Sequence, residues 1–152
     1  MAVRIAPIGW DHPAWVGNFY PDDLPPEWRL AFFCNEFDTV VVPRGLGDPA
    51  VVAGWLAECG ARTRFYLEGD GTQPQAREVA RRLGDRFGGF LVADDPAVAR
   101  WREGQGDLRA LRAEIERLAA WPETLLVIEG DPPTIATLRA ARAIIELLGI
   151  AS

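Results

Sequence analysis

Short apolar runs alternate along the chain with longer runs whose apolar residues recur every three or four positions. The short runs predict buried strands, and the helical spacing predicts amphipathic helices. The pattern predicts five strands: Val3–Ile8, Thr39–Val42, Arg64–Leu67, Gly89–Val92 and Leu125–Ile128. It predicts helices at about Pro26–Phe37, from Asp48 to Cys59, from Ala76 to Phe87, near Pro96–Arg102 (a short one), from Leu108 to Leu118, and at Pro133–Leu148.

The order of these elements indicates the fold class. Strands that alternate with helices predict parallel β-α units, and nearly all-apolar strands are typical of a sheet covered on both faces. We therefore predict a single α/β domain over residues 1–152, with a parallel sheet of about five strands and flanking helices. A complete eight-stranded β/α barrel needs at least about 200 residues, which is more than the 152 present.

Composition narrows the possible functions. All sixteen basic residues are arginines, which excludes a Schiff-base lysine, a pyridoxal-phosphate anchor and a P-loop lysine. The formal net charge is −6 and the arginines are scattered among acids, so a nucleic-acid partner is disfavoured. No apolar run approaches the ~20 residues of a membrane span, and the N-terminus lacks the features of a signal peptide. We therefore expect a cytoplasmic protein without a membrane partner.

Two cysteines, Cys34 and Cys59, lie far apart in predicted helices. We interpret them as separate buried small hydrophobic residues rather than as a disulfide or as metal ligands. The sequence predicts no metal site and no cofactor.

Carboxylates follow four of the five predicted strands. The ligand site of a parallel α/β fold lies beyond the carboxyl ends of its strands. Here those ends read Asp11-His12, Pro43-Arg44, Glu68-Gly-Asp70, Asp94-Asp95 and Glu129-Gly-Asp131. Asp48 and Asp95 each precede a proline at a predicted helix start, so we interpret them as N-caps. The remaining acids either act on a ligand or are solvated loop charges.

The stretch from Ile8 to Pro26, IGWDHPAWVGNFYPDDLPP, has two interpretations. In the first, Trp10, Trp15, Phe19 and Tyr20 pack over the end of the sheet, since aromatic rings bury much area and keep one polar group wet. In the second, Trp10 and Trp15 wall a pocket for a planar or sugar-like ligand, and His12 acts as an acid, base or hydrogen-bond donor. The position after the first strand favours a site, whereas the lack of polar partners favours packing.

The same stretch carries a family resemblance, in Gly9-Trp10, Trp15, Gly17, Phe19-Tyr20-Pro21 and Leu24-Pro25. It resembles the opening of the YecE-like family, a TIM-barrel family without an established activity. The match extends as far as the segment FDTVVV, which ends at Val42. Two later segments also resemble the family. The family's fourth strand is similar to residues 81–96, RRLGDRFGGFLVADDP. Its closing β-α unit is similar to residues 121–149, WPETLLVIEGDPPTIATLRAARAIIELLG. The resemblance implies a shortened TIM-barrel-like fold, because strands five to seven of the family have no counterpart here.

Departures from the family pattern fall on its polar groups. The second strand ends in Val41-Val42-Pro43 where the family has Glu-x-Asn. The third ends in Leu67-Glu68 where the family has a lysine. Asp131 fits the aspartate before the last helix, but Glu129 stands in place of the asparagine that precedes it. The resemblance therefore implies a degenerate member that keeps the scaffold and loses the chemistry.

The shortened barrel predicts a strand order. Its last strand should pair in parallel beside its first, giving the order 5-1-2-3-4 and bringing His12 near Glu129 and Asp131. A flavodoxin-like sheet would instead have the order 2-1-3-4-5. The fourth and fifth strands, GFLV and LLVI, would be free apolar edges, which favours a homodimer.

These observations predict binding of a small molecule or an anion at the carboxyl ends of the strands. Whether a reaction is catalysed stays open. Candidate catalytic residues are His12, Glu68 and Asp131, and candidate ligand contacts are Trp10, Trp15, Tyr20, Arg44 and Glu129. The alternative is a non-catalytic scaffold or interaction protein. A weaker alternative is a hydrolase or nucleic-acid-processing enzyme, disfavoured because one histidine cannot supply the metal ligands that such enzymes use.

Overall fold

The computed structural model describes residues 2–45 and 48–151. The strands in this part of the chain are β1 (Ala2–Pro7), β2 (Thr39–Val42), β3 (Arg64–Glu68), β4 (Phe87–Leu91), β5 (Val98–Arg102) and β6 (Glu123–Glu129). The helices are α1 (Arg29–Glu36), α2 (Val52–Glu58), α3 (Pro74–Leu83), α4 (Leu108–Leu118) and α5 (Ile135–Leu147). None of these helices has the length and apolar character needed to cross a bilayer.

The chain forms two compact units, and each contains one three-stranded parallel sheet. One unit comprises residues 2–7 and 94–151 and has the strand order β1-β6-β5. The other is Ile8–Ala93 and has the order β2-β3-β4. Within residues 2–45 and 48–151 the strands form these two sheets and no closed barrel. The assignment of residues 1–152 to a single domain stays a prediction.

Strand β6 is the centre of the first unit. It pairs in parallel with β1, from Ala2 opposite Glu123 to Pro7 opposite Ile128, and with β5 on its other side. The prediction that the last strand lies beside the first is therefore confirmed. Because parallel neighbours need long crossover connections, helices accompany this sheet, and they bury Leu111, Ile115, Leu118, Leu138, Ala141 and Ile145.

The second unit is built around β2 and β3, which pair directly and in parallel. This pairing shows that the flavodoxin-like alternative, with the first strand between them, is wrong. Val40, Val41 and Val42 are all buried, which explains the uninterrupted apolar run of β2. Directly after β1, Ile8 forms an isolated parallel bridge with Val41. One isolated bridge does not make a ladder of paired residues, so the order 5-1-2-3-4 is not confirmed as one sheet.

The prediction of a short helix near Pro96–Arg102 was wrong, because this segment contains β5. Trp101 is buried and the flanking Arg100 and Arg102 are exposed, an alternation with the period of a strand rather than of a helix. The expectation that LLVI forms a free edge was also wrong. Those residues belong to β6, which has a partner on both sides.

Helix boundaries follow local capping chemistry. The Asp48 carboxylate accepts the Ala50 amide at the 3-10 turn that leads into α2, which confirms it as a cap. Asp95 instead caps a turn before β5, by accepting the Ala97 amide. Helix α3 ends at Leu83, earlier than predicted, because Gly84 has a φ of +60°, in a region that side chains other than glycine rarely adopt.

A disulfide joins Cys34 of α1 to Cys59 at the end of α2, with the two Cα atoms 5.7 Å apart. The interpretation of the cysteines as separate hydrophobic residues was therefore wrong. Their separation of 25 residues gave no pairing motif, and the contact depends on how the two helices pack.

We expect the substitution Cys34→Ser to lower the free energy of unfolding by about 3 kcal/mol, because a cross-link over this loop length restricts the unfolded chain. Urea unfolding with and without a thiol reductant measures the effect. The reductant should lower the midpoint of the wild type and leave that of C34S unchanged. Equal midpoints for oxidised and reduced wild type would contradict the stabilising role.

Candidate functional site

A cavity of about 460 Å³ lies at the carboxyl ends of β2 and β3, where α3 begins. We call it the strand-end cavity. Its apolar lining comes from Val42, Pro43, Leu67, Ala76 and Val79, and its polar lining from Arg44, Glu68, Asp70, Thr72, Gln73 and Gln75. The apolar strand and helix residues Val42, Leu67 and Val79 are buried, whereas most of the polar ones are exposed. This combination of an apolar interior and a polar mouth is typical of small-molecule sites.

The last residue of β3 and the loop after it place two carboxylates at this cavity. The Thr72 hydroxyl and amide both donate to Asp70 Oδ1, at 2.7 and 3.0 Å. These bonds lower the pKa of the Asp70 carboxyl, and the positive charge of Arg44 adds to the effect. Glu68 Oε1 accepts the backbone N–H of Arg44 at 3.1 Å. Both acids are therefore anchored by local hydrogen bonds.

Gly71 fixes the path of this loop. Its φ is +80°, and a Cβ built there would lie 2.8 Å from the ring of Phe90 at the end of β4. Glycine is thus required both by backbone conformation and by the close approach of the ring. The contact holds the Glu68–Thr72 loop against the neighbouring strand.

Arg44 brings a positive charge to the cavity. Its guanidinium lies near Gly69, where a Cβ would be 3.9 Å from Arg44 Cζ. Within the described part of the chain, the Arg44 side chain forms no ion pair or hydrogen bond with a carboxylate, unlike Arg29, Arg100 or Arg102. Its N–H donors are therefore available to a ligand.

The aromatic loop contributes chiefly to packing. Trp15 and Tyr20 are 2% and 1% exposed, and the Trp15 ring stacks on Phe33 at 6.2 Å. The Tyr20 hydroxyl donates to the Trp10 carbonyl, which satisfies its polar group. Neither ring is among the residues that line the strand-end cavity, and both pack against other aromatic rings, so the structure favours the packing interpretation for these two candidates. Trp10 is half-buried and contacts Trp55 edge-on at 5.4 Å.

His12 packs against the backbone and Trp15. Its Nε2–H donates to the Ile8 carbonyl at 3.0 Å, and its ring lies edge-on to Trp15 at 4.5 Å. A Cβ at Gly9 would be 3.4 Å from Nε2. Burial lowers the pKa of His12 below its ordinary value of 6.5, although the hydrogen bond to Ile8 and the charge of Asp11 act in the opposite direction. The ring is therefore neutral at pH 7 and closes the turn after β1.

Glu129 and Asp131 lie at the carboxyl end of β6, in the first unit. Each pairs with an arginine of β5: Glu129 with Arg100 at 3.1 Å, and Asp131 with Arg102 at 3.0 Å. The Asp131 side chain is 89% exposed. His12 belongs to the other unit, so a joint site of His12 with these two acids stays a prediction.

Sequence reasoning missed Glu103, which follows β5. Its carboxylate accepts three bonds from α5, namely the Thr134 amide at 2.7 Å and the Thr134 and Thr137 hydroxyls at 2.9 Å each. A carboxylate at a helix N-terminus is favoured by the orphan N–H groups and the helix dipole. The residue escaped notice because it lies between the predicted elements Pro96–Arg102 and Leu108–Leu118. We interpret this group of Glu103, Thr134 and Thr137, the Glu103 cluster, as a cap that stabilises the start of α5.

No group of three or more histidine, cysteine or acidic side chains in the described residues is placed to hold a metal ion. The strand-end cavity is thus a site of mixed charge without such a cluster.

Among solved structures, the chain is similar to a DUF72 family protein from Thermotoga maritima. The TM-score is 0.63 at 12% sequence identity, and the match covers 98% of this chain and 100% of that one. No family model and no curated protein matches the sequence. At this identity the likeness shows a shared fold, and the DUF72 protein is a relative in architecture.

The lowered pKa of His12 predicts a pH-dependent stability. Between the native pKa and 6.5 the unfolded chain binds more protons at this position than the native one, so stability falls as the pH decreases from 6.5 towards the native pKa. We expect His12→Gln, which can still donate to Ile8, to lose this component. Urea midpoints of both proteins at about pH 7.5 and about pH 5.5 measure it, on either side of the ordinary histidine pKa. Equal pH dependence in the two proteins would contradict the assignment.

The Glu103 cluster predicts a stability loss. Glu103→Ala removes the acceptor for three donors, so we expect the free energy of unfolding to fall by about 1–3 kcal/mol. Glu116→Ala is the matched control, since Glu116 forms an exposed helical ion pair with Arg112, worth about 0.5 kcal/mol. Chemical denaturation measures both. A loss in E103A no larger than in the control would refute the capping role.

Proposed function

We propose that this protein binds a small molecule in the strand-end cavity, and that it is a degenerate member of the YecE-like family. The observation that carries the binding proposal is the Arg44 guanidinium at an apolar-lined cavity, where no carboxylate among the described residues forms an ion pair with it. The family proposal rests on the motif from Gly9 to Pro25 together with the fold likeness to a DUF72 protein.

The position and size of the cavity support this function. Parallel α/β sheets bind ligands beyond the carboxyl ends of their strands, and β2 and β3 both end at the cavity. Its volume of about 460 Å³ falls within the roughly 300–1,000 Å³ of small-molecule pockets. Of the candidates from the sequence, Arg44 and Glu68 line it.

Binding without turnover suits the chemistry of the candidates. His12 uses its Nε2–H on the Ile8 carbonyl, and it is not among the residues that line the cavity. Glu68 accepts a backbone N–H from Arg44. A general acid or base must be within reach of a bound substrate, and His12 does not line the cavity.

An interaction scaffold, with homodimerisation, is the second proposal. The observation that favours it is that β4, which carries the apolar run Phe90-Leu91, stands at the end of the strand order β2-β3-β4, since an apolar edge strand can pair with another chain. Sedimentation velocity over a range of concentrations would decide whether the chain dimerises.

The Cys34–Cys59 disulfide opposes the expected cytoplasmic location, because disulfides persist mainly in oxidising compartments.

A fragment screen by ¹H–¹⁵N NMR tests the binding function. We expect ligands that carry an acidic group to shift the amides of Gly69, Gly71 and Thr72, and Arg44→Gln to weaken their binding about tenfold or more, as the loss of a charge-assisted hydrogen bond implies. Arg82→Gln is the matched control, because Arg82 pairs with Glu78 on α3 and does not line the cavity. If no fragment shifts the lining residues, or if R44Q binds as the wild type does, the function is refuted.

A further inference from the structure

Charges of both signs line the strand-end cavity. Arg44 contributes one positive charge, and Glu68 and Asp70 contribute two negative ones. The hydrogen bonds from Thr72 lower the pKa of Asp70, which keeps that carboxylate ionised at neutral pH. A purely anionic ligand would be drawn to Arg44 but repelled by the two acids, and a purely cationic ligand would meet the opposite conflict.

The Arg44 guanidinium suits a carboxylate. Its planar fork of N–H donors matches the two oxygens of a carboxylate in a bidentate pair. In the part of the chain that the structure describes, no acidic side chain forms such a pair with the Arg44 guanidinium. The backbone N–H of Arg44, and not its side chain, is what Glu68 binds.

The two acids retain capacity for an ammonium group. The bonds described above end on Oε1 of Glu68 and on Oδ1 of Asp70. A carboxylate has about four acceptor positions on its two oxygens, so each acid can also accept from a ligand N–H. An ammonium group offers three donors.

The interior of the cavity suits a hydrocarbon side chain. Val42, Leu67 and Val79 are 3%, 4% and 8% exposed, and they present aliphatic groups to the cavity beside Ala76 and Pro43. The polar groups that line the cavity lie mainly at its exposed side. A ligand with a charged head of both signs and an aliphatic body matches this distribution.

We propose, on the basis of the proposed binding function, that the ligand of the strand-end cavity is a zwitterionic amino acid with an aliphatic side chain. Its carboxylate pairs with the Arg44 guanidinium, and its ammonium group is bound by Glu68 and Asp70. Its side chain lies against Val42, Leu67 and Val79.

Isothermal titration and ¹H–¹⁵N NMR with matched probes test the ligand class. L-leucine is compared with isocaproate, which lacks the ammonium group, and with isoamylamine, which lacks the carboxylate. The remaining aliphatic L-amino acids and the neutral polyol sorbitol complete the panel. We expect an aliphatic amino acid to shift the amides of Gly69, Gly71 and Thr72, and to bind at least tenfold more tightly than its two analogues.

Three variants test which side chains bind the carboxylate and the ammonium group of the ligand. Arg44→Gln should weaken binding of the amino acid and of isocaproate at least tenfold, and it should not weaken binding of isoamylamine, whose positive charge Arg44 repels. Glu68→Gln and Asp70→Asn should weaken binding of the amino acid and of isoamylamine, and they should not weaken binding of isocaproate, which the two acids repel. Circular dichroism of each variant shows that it is folded, and Arg82→Gln serves as the control for a charge change outside the cavity.

The outcomes separate this inference from the function on which it rests. If isocaproate, isoamylamine or sorbitol binds as tightly as the amino acid of highest affinity, the proposal of a zwitterionic ligand is refuted while small-molecule binding stands. If no amino acid shifts the lining amides at millimolar concentration, the zwitterion is also refuted, and the acidic fragments of the wider screen then decide the binding function. If neither panel produces shifts that depend on Arg44, both proposals fail.

Discussion

Parallel pairing of strands is the interaction on which the other features of this protein depend. Both sheets consist of parallel ladders. A parallel neighbour can be reached only by a long return connection, and the connection of each of these four pairs contains a helix. Within each sheet the carboxyl ends of the strands therefore lie at the same edge. For this reason the residues after β2 and β3, which are distant in sequence, line one cavity.

The regular elements could be predicted where periodicity was strong. The run Thr39–Val42 was predicted with the bounds that the structure has, because a buried parallel strand is apolar throughout. Strand β5 was missed because proline and small residues before Trp101 resemble a helix start. The disulfide was missed for a different reason, since its two cysteines meet only through the packing of α1 and α2.

The candidate site could be predicted in position but only partly in composition. Arg44 and Glu68 were identified because they follow strands, and both line the cavity. Trp15 and Tyr20 follow a strand as well, yet they are buried in an aromatic cluster. Composition does not distinguish an aromatic ring that packs from one that binds, because both roles need the same large apolar surface. The anchoring of Asp70 by Thr72 is a local turn, and it becomes visible only with coordinates.

The division of the chain into units also has a consequence for the order of synthesis. The residues of the second unit are contiguous, so that unit has its whole sequence once Ala93 has left the ribosome. Strand β1 is made before the second unit, but its partner β6 ends at Glu129. The first strand must therefore remain without its ladder while the intervening unit is made and folds, at translation rates of about 5–20 residues per second. During those seconds β1 is a largely apolar segment whose ladder with β6 has not yet formed, and an unpaired strand of this kind can pair with another chain.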